Sequence, residues 1–367
     1  MTGAGLDGES DDSGTRLRIS AEATGESRGL RGWIESLSEA GRLVHVREPS
    51  HWRFEIGRLT RESSKPLLFE NIVDFPGHRV FTNGLRDIEL IALALGLEDG
   101  ISRVDLIAAL RQRIANPVSP CIVEDSPVLE NIVTGSDVNL LRFPIPHWHE
   151  TDCGRYLGTW HINVTKDPET QIRNVGLYRM QLLGPRQATV STSPGSHLSQ
   201  QVAKAEREYQ ALPMAVAIGV SEAVVMAAAA GYPPGMDEYE LAGGLQRKAE
   251  ELVRCQTVDI EVPAQSEIVI EGMIQPNVRV QDGPYFDYTG KSHTNPNAFL
   301  FDVTCMTFRN DPIFRGTSIG IPGAEDHQIL AILAELKLLD FHGSGMKKSI
   351  QDLVLKQRLL RWTCPNA

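Results

Sequence analysis

Asn174-Val175-Gly176-Leu177-Tyr178-Arg179 sets an amide and a guanidinium around a small-residue step, then runs into the apolar, strand-like Met180-Gln181-Leu182-Leu183. His197 follows in Ser193-Pro194-Gly195-Ser196-His197, and Glu238 stands in Met236-Asp237-Glu238-Tyr239. Asp282 and Asp287 bracket Gly283-Pro284-Tyr285-Phe286. An amide oxygen, an imidazole nitrogen and a carboxylate make a hard O/N donor set, suited to manganese or magnesium rather than to zinc–thiolate chemistry. Arg179 with two acids has the make-up of a proton-handling group. Each residue also has a bland reading. His197 is then a loop residue, Glu238 a first-turn acid facing a helix dipole, Asp282-Gly283-Pro284 a turn, and Arg179 a paired charge on a strand.

Outward from that stretch, the chain from about 118 reads as short strands separated by Pro, Gly and Asn. They fall at 158–165, 174–183, 214–219, 259–262, 267–274 and 299–308, which suggests a barrel or sandwich. Helical patterns interrupt them at 198–210, 221–230 and 237–253, with Ser221 and Asp237 as N-caps. Before 118 the pattern is α/β. Leu30, Trp33, Ile34 and Leu37 form an i, i+3, i+4, i+7 stripe that stops at Gly41. Strands at 43–46, 66–70 and 78–82 alternate with helices at 55–61, 87–96 and 103–114. The spacing predicts four parts: a disordered tail over 1–27, a small α/β domain over 28–117, a β domain over 118–318, and a last segment over 319–367. That segment holds a helix over 324–339 with Ile329, Leu333, Leu336 and Leu339 on one face, and a strand over 349–355. One helix and one strand do not make a domain, so this segment reads as the start of an unfinished one. Its stripe is then an uncovered apolar face, each side chain worth roughly 1.5–3 kcal/mol when buried, and self-association through it is expected.

The composition narrows the function. With 367 residues, 41% hydrophobic and 23% charged, the chain can bury a real core. A net charge of -11 leaves no basic surplus for nucleic acid or an anionic membrane. Five cysteines without a CxxC spacing favour reduced thiols in a cytoplasmic protein. The most apolar run, 223–230, is too short to cross a bilayer.

Over 30–355 the chain resembles the UbiD-type carboxy-lyases, non-oxidative decarboxylases that use prenylated FMN. The resemblance is carried by Phe143-Pro144-Ile145-Pro146-His147-Trp148-His149-Glu150, Asp152-Cys153-Gly154-Arg155-Tyr156-Leu157, Asp167-Pro168-Glu169, Asn174 to Arg179, Asp237-Glu238-Tyr239, Val262-Pro263-Ala264 and Glu271-Gly272. It implies an α+β multi-domain fold: a small α/β N-terminal domain, a flavin-reductase-like split β-barrel, and the start of an incomplete α/β C-terminal domain of the kind used for dimerisation. Asn174, His197 and Glu238 match the ligands of a divalent metal, manganese or magnesium, that holds the cofactor phosphate. A potassium ion is implied near the backbone oxygens of Val175 and Ala230. Asn174, Val175, Gly176, Leu177, Tyr178 and Arg179, with Ser196 and His197, match the flavin-binding segments.

Arg179, Asp282 and Asp287 match the catalytic arginine and acid pair. Asp287 is expected to be a buried, partly protonated donor of the proton that replaces CO2, and Arg179 to orient the substrate carboxylate and keep Asp282 ionised. The implied partners are an aromatic or α,β-unsaturated carboxylic acid, a flavin prenyltransferase as cofactor supplier, and a second copy of the chain. His147 and His149 read as structural or rim residues. The pattern is departed from at Asp282, where the family has Glu; at Phe286, where it has Gly; and in the family's longer C-terminal part. These leave two alternatives, a catalytically impaired short homologue that only binds flavin and metal, and a split-barrel flavin oxidoreductase.

Overall fold

Leu30, Trp33, Ile34 and Leu37 are the buried face of α1 (Gly29–Glu39), so the first expected helix forms where its stripe lies. The computed structural model describes residues 29–232 and 235–342. The tail over 1–27 and the strand expected over 349–355 lie outside those residues.

After α1 come β1 (Val44–Val46), α2 (Glu55–Glu62), β2 (Leu67–Phe69), β3 (Arg79–Thr82), α3 (Ile88–Ala94) and α4 (Arg103–Ile114). The short β4 (Cys121–Ile122) and β5 (Asn131–Thr134) lead into β6 (Tyr156–Gly158), β7 (His161–Lys166), β8 (Arg173–Gly176), β9 (Met180–Gly184) and β10 (Gln187–Val190). Then follow α5 (His197–Arg207), β11 (Leu212–Ile218), α6 (Glu222–Ala230), α7 (Glu238–Gln246), β12 (Glu251–Arg254) and β13 (Glu261–Pro263). Two long strands, β14 (Ile268–Phe286) and β15 (Ser292–Phe308), precede β16 (Ile313–Arg315) and α8 (Glu325–His342). Ser221 caps α6 by accepting from the Val224 amide, and Asp237 caps α7 by accepting from the Tyr239 amide, both as the sequence suggests.

Among the described residues three sheets form: β1-β2-β3-β16; β13-β12-β4; and the antiparallel path β6-β9-β10-β15-β14-β11-β7-β8, with β5 beside β15. The connections of the last path dictate its shape. Along it β9 and β8 stand six steps apart, about 29 Å in a flat sheet at ~4.8 Å per step. Yet only Leu177, Tyr178 and Arg179 join them, a link that spans at most about 14 Å. Thr159 and Trp160 alone join β6 to β7 across the same gap. The sheet must therefore curl until its two edges face each other across a seam.

The expected single strand over 174–183 is corrected accordingly. It breaks after Gly176, because β8 pairs with β7 on one edge while β9 pairs with β10 and β6 on the other. Glycine ends each strand that enters the seam. A Cβ at Gly158 would stand 2.6 Å from the His161 ring, and one at Gly176 2.7 Å from the Tyr178 ring.

Two further expectations change. The helix over 237–253 stops at Gln246, with Arg247 left-handed at φ 58°, and 251–254 becomes β12. Gly243 and Gly244 bring the helix so close to the end of α4 that a Cβ on either would meet the Val118 or Arg113 carbonyl oxygen. The stripe on α8 is not uncovered. Ile329, Leu333 and Leu336 are buried, with Ile332, where α8 packs on α6 and α4. Self-association through these residues thus loses its premise; the Leu339 side chain lies outside those described.

Candidate functional site

A cavity of about 840 Å³ opens along the seam. Its wall takes in the two linkers that cross the seam, the loop 191–196, the start of α5 and Glu238, and, on the far side, Tyr285, Asp287, Asp326 and Leu330. Of the expected site residues, Asn174, Val175, Gly176, Leu177, Tyr178, Arg179, Ser196, His197, Glu238 and Asp287 all line it. Asp282 does not: it is fully buried behind Arg179. Ala230 ends α6 and is buried, between cavity-lining Ala229 and Gly231.

The seam loop is held by side chains instead of a ladder. His161, Asn163 and Thr165 lie two apart on β7, so they share one face. His161 Nε2 donates to the Tyr178 carbonyl at 3.1 Å, and Asn163 Oδ1 accepts from the Tyr178 amide at 2.9 Å. Thr165 Oγ1 donates to Gln201 at 2.5 Å and accepts from Asn174 Nδ2 at 3.2 Å. Burial pushes His161 down to about 4, which keeps it a neutral clamp. Sequence reasoning missed these residues. Polar side chains recurring every second residue within an apolar strand were the available signal.

At one end of the cavity stand three incompletely satisfied donors. Glu238, 5% exposed, accepts from the Val175 amide at 3.1 Å, and burial pushes its carboxyl up to about 7. The nearest arginine, Arg173, is committed elsewhere, to Asp237 at 2.9 Å and Glu261 at 3.0 Å. His197 makes no hydrogen bond among the described residues, and Asn174 Oδ1 meets only the Tyr178 hydroxyl, at 3.5 Å. Among the described residues no three His, Cys, Asp or Glu side chains gather as a metal site. The expected set differs in that its third donor is an amide. A buried carboxylate without a counter-cation, beside a free imidazole and a free amide oxygen, fits a hard dication.

At the other end, Arg179 Nε donates to Asp282 Oδ1 at 2.7 Å, and Thr189 Oγ1 donates to Asp282 Oδ2 at 2.5 Å. Burial pushes the Asp282 carboxyl up, and Arg179 and Thr189 oppose it. With Nε so engaged and its guanidinium 5.2 Å above the Tyr285 ring, Arg179 keeps its terminal nitrogens free of partners among the described residues. Asp287 is half-buried, not buried as expected. Its Oδ1 accepts from the Thr289 amide and hydroxyl at 2.9 and 2.6 Å, and His293 Nε2 stands 3.8 Å from Oδ2.

Phe286 is accommodated without displacing the acid beside it. Its ring tilts against His149 at 4.4 Å and occupies the space a Cβ at Gly320 would fill. The backbone there hangs on Asp152, which accepts from the Phe286 amide at 2.8 Å and the His149 amide at 3.1 Å. His149 Nε2 in turn donates to the Ile319 carbonyl at 3.0 Å, and His147 Nε2 to that of Asp152 at 2.9 Å. Both histidines are thus structural, as the sequence suggests.

Comparison with known proteins gives concordant matches. Residues 34–110 match the model of the 3-octaprenyl-4-hydroxybenzoate carboxy-lyase (UbiD) N-terminal domain, and 122–322 that of its Rift-related domain. A pyrrole-2-carboxylic acid decarboxylase from Pseudomonas aeruginosa is 34% identical over 326 residues, 85% of this chain and 66% of that protein. The chain thus spans about two thirds of the length of the curated relatives it matches. Among solved structures, an evolved dimeric form of the UbiD-class enzyme HmfF from Pelotomaculum thermopropionicum, in complex with prFMN, is 35% identical with a TM-score of 0.78, over 85% of this chain and 72% of that one. The closed form of Sedimentibacter hydroxybenzoicus vanillic acid decarboxylase is 30% identical with a TM-score of 0.80, over 83% and 67%.

Proposed function

The chain belongs to the UbiD carboxy-lyase family, and on that premise we propose that it removes CO2, without net oxidation, from an aromatic or α,β-unsaturated carboxylic acid. The observation that carries this reading is the gathering of the expected residues, Asp282 apart, on one cavity. In this reading Asn174, His197 and Glu238 hold manganese or magnesium, and that ion holds the phosphate of prenylated FMN. Residues 174–179, Ser196 and His197 surround the flavin, and the backbone oxygens of Val175 and Ala230 are candidates for potassium. The curled sheet corresponds to a flavin-reductase-like split barrel, a second copy of the chain is a partner, and a flavin prenyltransferase supplies the cofactor.

When bound, the prenylated flavin supplies an electron sink for the pair left by the departing CO2. The chain's own residues do the rest. Asp282 and Thr189 fix Arg179 from behind, so its free terminal nitrogens orient the substrate carboxylate through charge-assisted hydrogen bonds. Tyr285, Ile319, Ile329 and Leu330 give that end of the cavity an apolar wall. Asp287 delivers the proton to the carbon that has lost CO2; because it is half-buried, it can be reprotonated from solvent.

Co-expression with a flavin prenyltransferase tests this. The protein should acquire a flavin absorption unlike that of FMN and release CO2 from at least one of a panel of cinnamic, hydroxybenzoic, heteroaromatic and polyenoic acids. Asp287→Asn should keep fold and flavin but lose turnover by about 10²–10⁴, since an amide has the shape without a transferable proton. Decarboxylation by Asp287→Asn near the wild-type rate would remove Asp287 from its role.

A further inference from the structure

Removing CO2 from a carboxylate consumes one proton per turnover. The departing CO2 leaves its bonding electron pair behind, the new C–H bond takes a proton from Asp287, and Asp287 must be reprotonated before the next cycle. The turn between β14 and β15 provides a route. Asp287 opens that turn, its amide donating to the Lys291 carbonyl at 3.1 Å. Its Oδ1 accepts from the Thr289 amide at 2.9 Å, which closes an Asx-turn. Thr289 Oγ1 donates to the same oxygen at 2.6 Å, so the one hydroxyl proton is committed there. The hydroxyl must therefore accept in its other contact, from His293 Nε2 at 3.0 Å. A continuous donor chain results, from the imidazole Nε2–H through the Thr289 hydroxyl to the carboxyl, and Nε2 also stands 3.8 Å from Oδ2.

The two ends of this chain differ in their access to water. The His293 side chain is 50% exposed and that of Asp287 17%. His293 stands opposite Tyr285 of β14 in register, so their side chains share a face, and both line the cavity with Asp287. Asp287 is the acid within 4 Å of the imidazole among the described residues. Tyr285 and the Arg179 guanidinium over its ring are the other ionisable groups on that wall, and Lys291, on the turn, is exposed.

Histidine is the side chain that exchanges protons with water most readily near neutral pH. We infer that His293 relays solvent protons to Asp287 through the Thr289 hydroxyl. The imidazole gives its Nε2 proton to the hydroxyl, the hydroxyl gives its own to Asp287, and the exposed ring regains a proton from water. The inference rests on the proposed reading of Asp287 as the proton donor. His293 acts through Asp287 and supplies it, without meeting the reacting carbon.

Two measurements test it, the first without turnover. In the full chain, the His293 ring titration followed by NMR should move down by roughly half a pH unit or more in Asp287→Asn, which removes the anion at the end of the chain. In the second, turnover of protein co-expressed with a flavin prenyltransferase is followed from pH 5 to 8 on an acid from the panel above. Hydronium falls tenfold per pH unit. His293→Ala should therefore match the wild type near pH 5, where water protonates Asp287 directly. At pH 8 it should turn over at least about tenfold more slowly with KM unchanged, and added imidazole should restore it. His293→Gln, whose amide still donates to Thr289 but exchanges no proton, should fail as His293→Ala does. Wild-type turnover by His293→Gln at pH 8 would overturn the inference and leave the acid-site reading intact. A loss at every pH without imidazole rescue would do the same, reducing His293 to a support of the turn. So would an unchanged ring titration in Asp287→Asn. A wild type that releases CO2 from no acid in the panel removes the reading and the inference together.

Discussion

Two regions of this molecule bury carboxylates, and they treat them in opposite ways. Beneath the cavity, Arg315 is 1% exposed between Glu222 and Glu325, and every carboxylate oxygen there is satisfied. Glu222 takes Arg315 on one oxygen and Trp160 Nε1, at 2.9 Å, on the other. Glu325 takes Arg315 twice, plus the amides of Asn83 and Leu85 at 3.0 Å each. In the cavity, Glu238 has a backbone amide and no cation, and Asp326 has an oxygen with nothing. Burial raises all of these acids. At Glu325 the Arg315 charge and the hydrogen bonds from Arg315, Thr317 and the Leu85 amide together bring it below its ordinary value. Glu222 stays raised despite Arg315, and Glu238 rises to about 7. The chain completes the charges of the Arg315 cluster and leaves incomplete those that line the cavity. The two regions touch at Trp160, which Arg315 and Glu222 position and which lines the cavity.

The comparison is broken most forcefully at its structural half. Arg315→Met leaves two carboxylates buried without their cation, and the expected loss is about 3–5 kcal/mol in denaturant-induced unfolding. A loss below about 1 kcal/mol would mean that the cluster is not the structural member of the pair. Asp152 sharpens the comparison with a smaller effect. It has two backbone amides and no hydrogen-bonded cation, and burial pushes it up to about 6. In the unfolded chain it ionises near pH 4, so between about 4 and 6 the folded state keeps a proton that the unfolded state has lost. Its contribution therefore falls as pH rises through that window, by about 1–3 kcal/mol. His149, pushed down to about 4 by burial, acts in the opposite sense over the same range. The difference between wild type and Asp152→Asn, measured from pH 4 to 7, isolates Asp152: the variant should gain stability relative to wild type as pH rises.

What was legible in the sequence was local. The α1 stripe and the caps at Ser221 and Asp237 each carry their signal within a few residues and stand where they were expected, and the 174–179 stretch lines the cavity. What was not legible depends on partners far along the chain. The break after Gly176 follows from β8 and β9 pairing on opposite edges of a curled sheet, and no periodicity within 174–183 encodes that. The α8 stripe looked uncovered because the helices that cover it, α4 and α6, lie some hundred or more residues earlier. Thr189 at Asp282 and the empty oxygen of Asp326 are likewise visible only once distant segments meet.

Manganese binding tests the central claim most directly, because it asks whether the incomplete half of the comparison is a site. Titrated into metal-free protein, Mn2+ should raise the unfolding temperature in a concentration-dependent way, as a ligand of the folded state must. Its electron paramagnetic resonance signal should report binding at one site per chain. Glu238→Gln and His197→Ala should lose the metal and, after co-expression with a flavin prenyltransferase, the flavin as well. Full flavin occupancy in metal-free Glu238→Gln protein would contradict the account, since the cavity would then hold its cofactor without the cation that its unsatisfied donors are read to await.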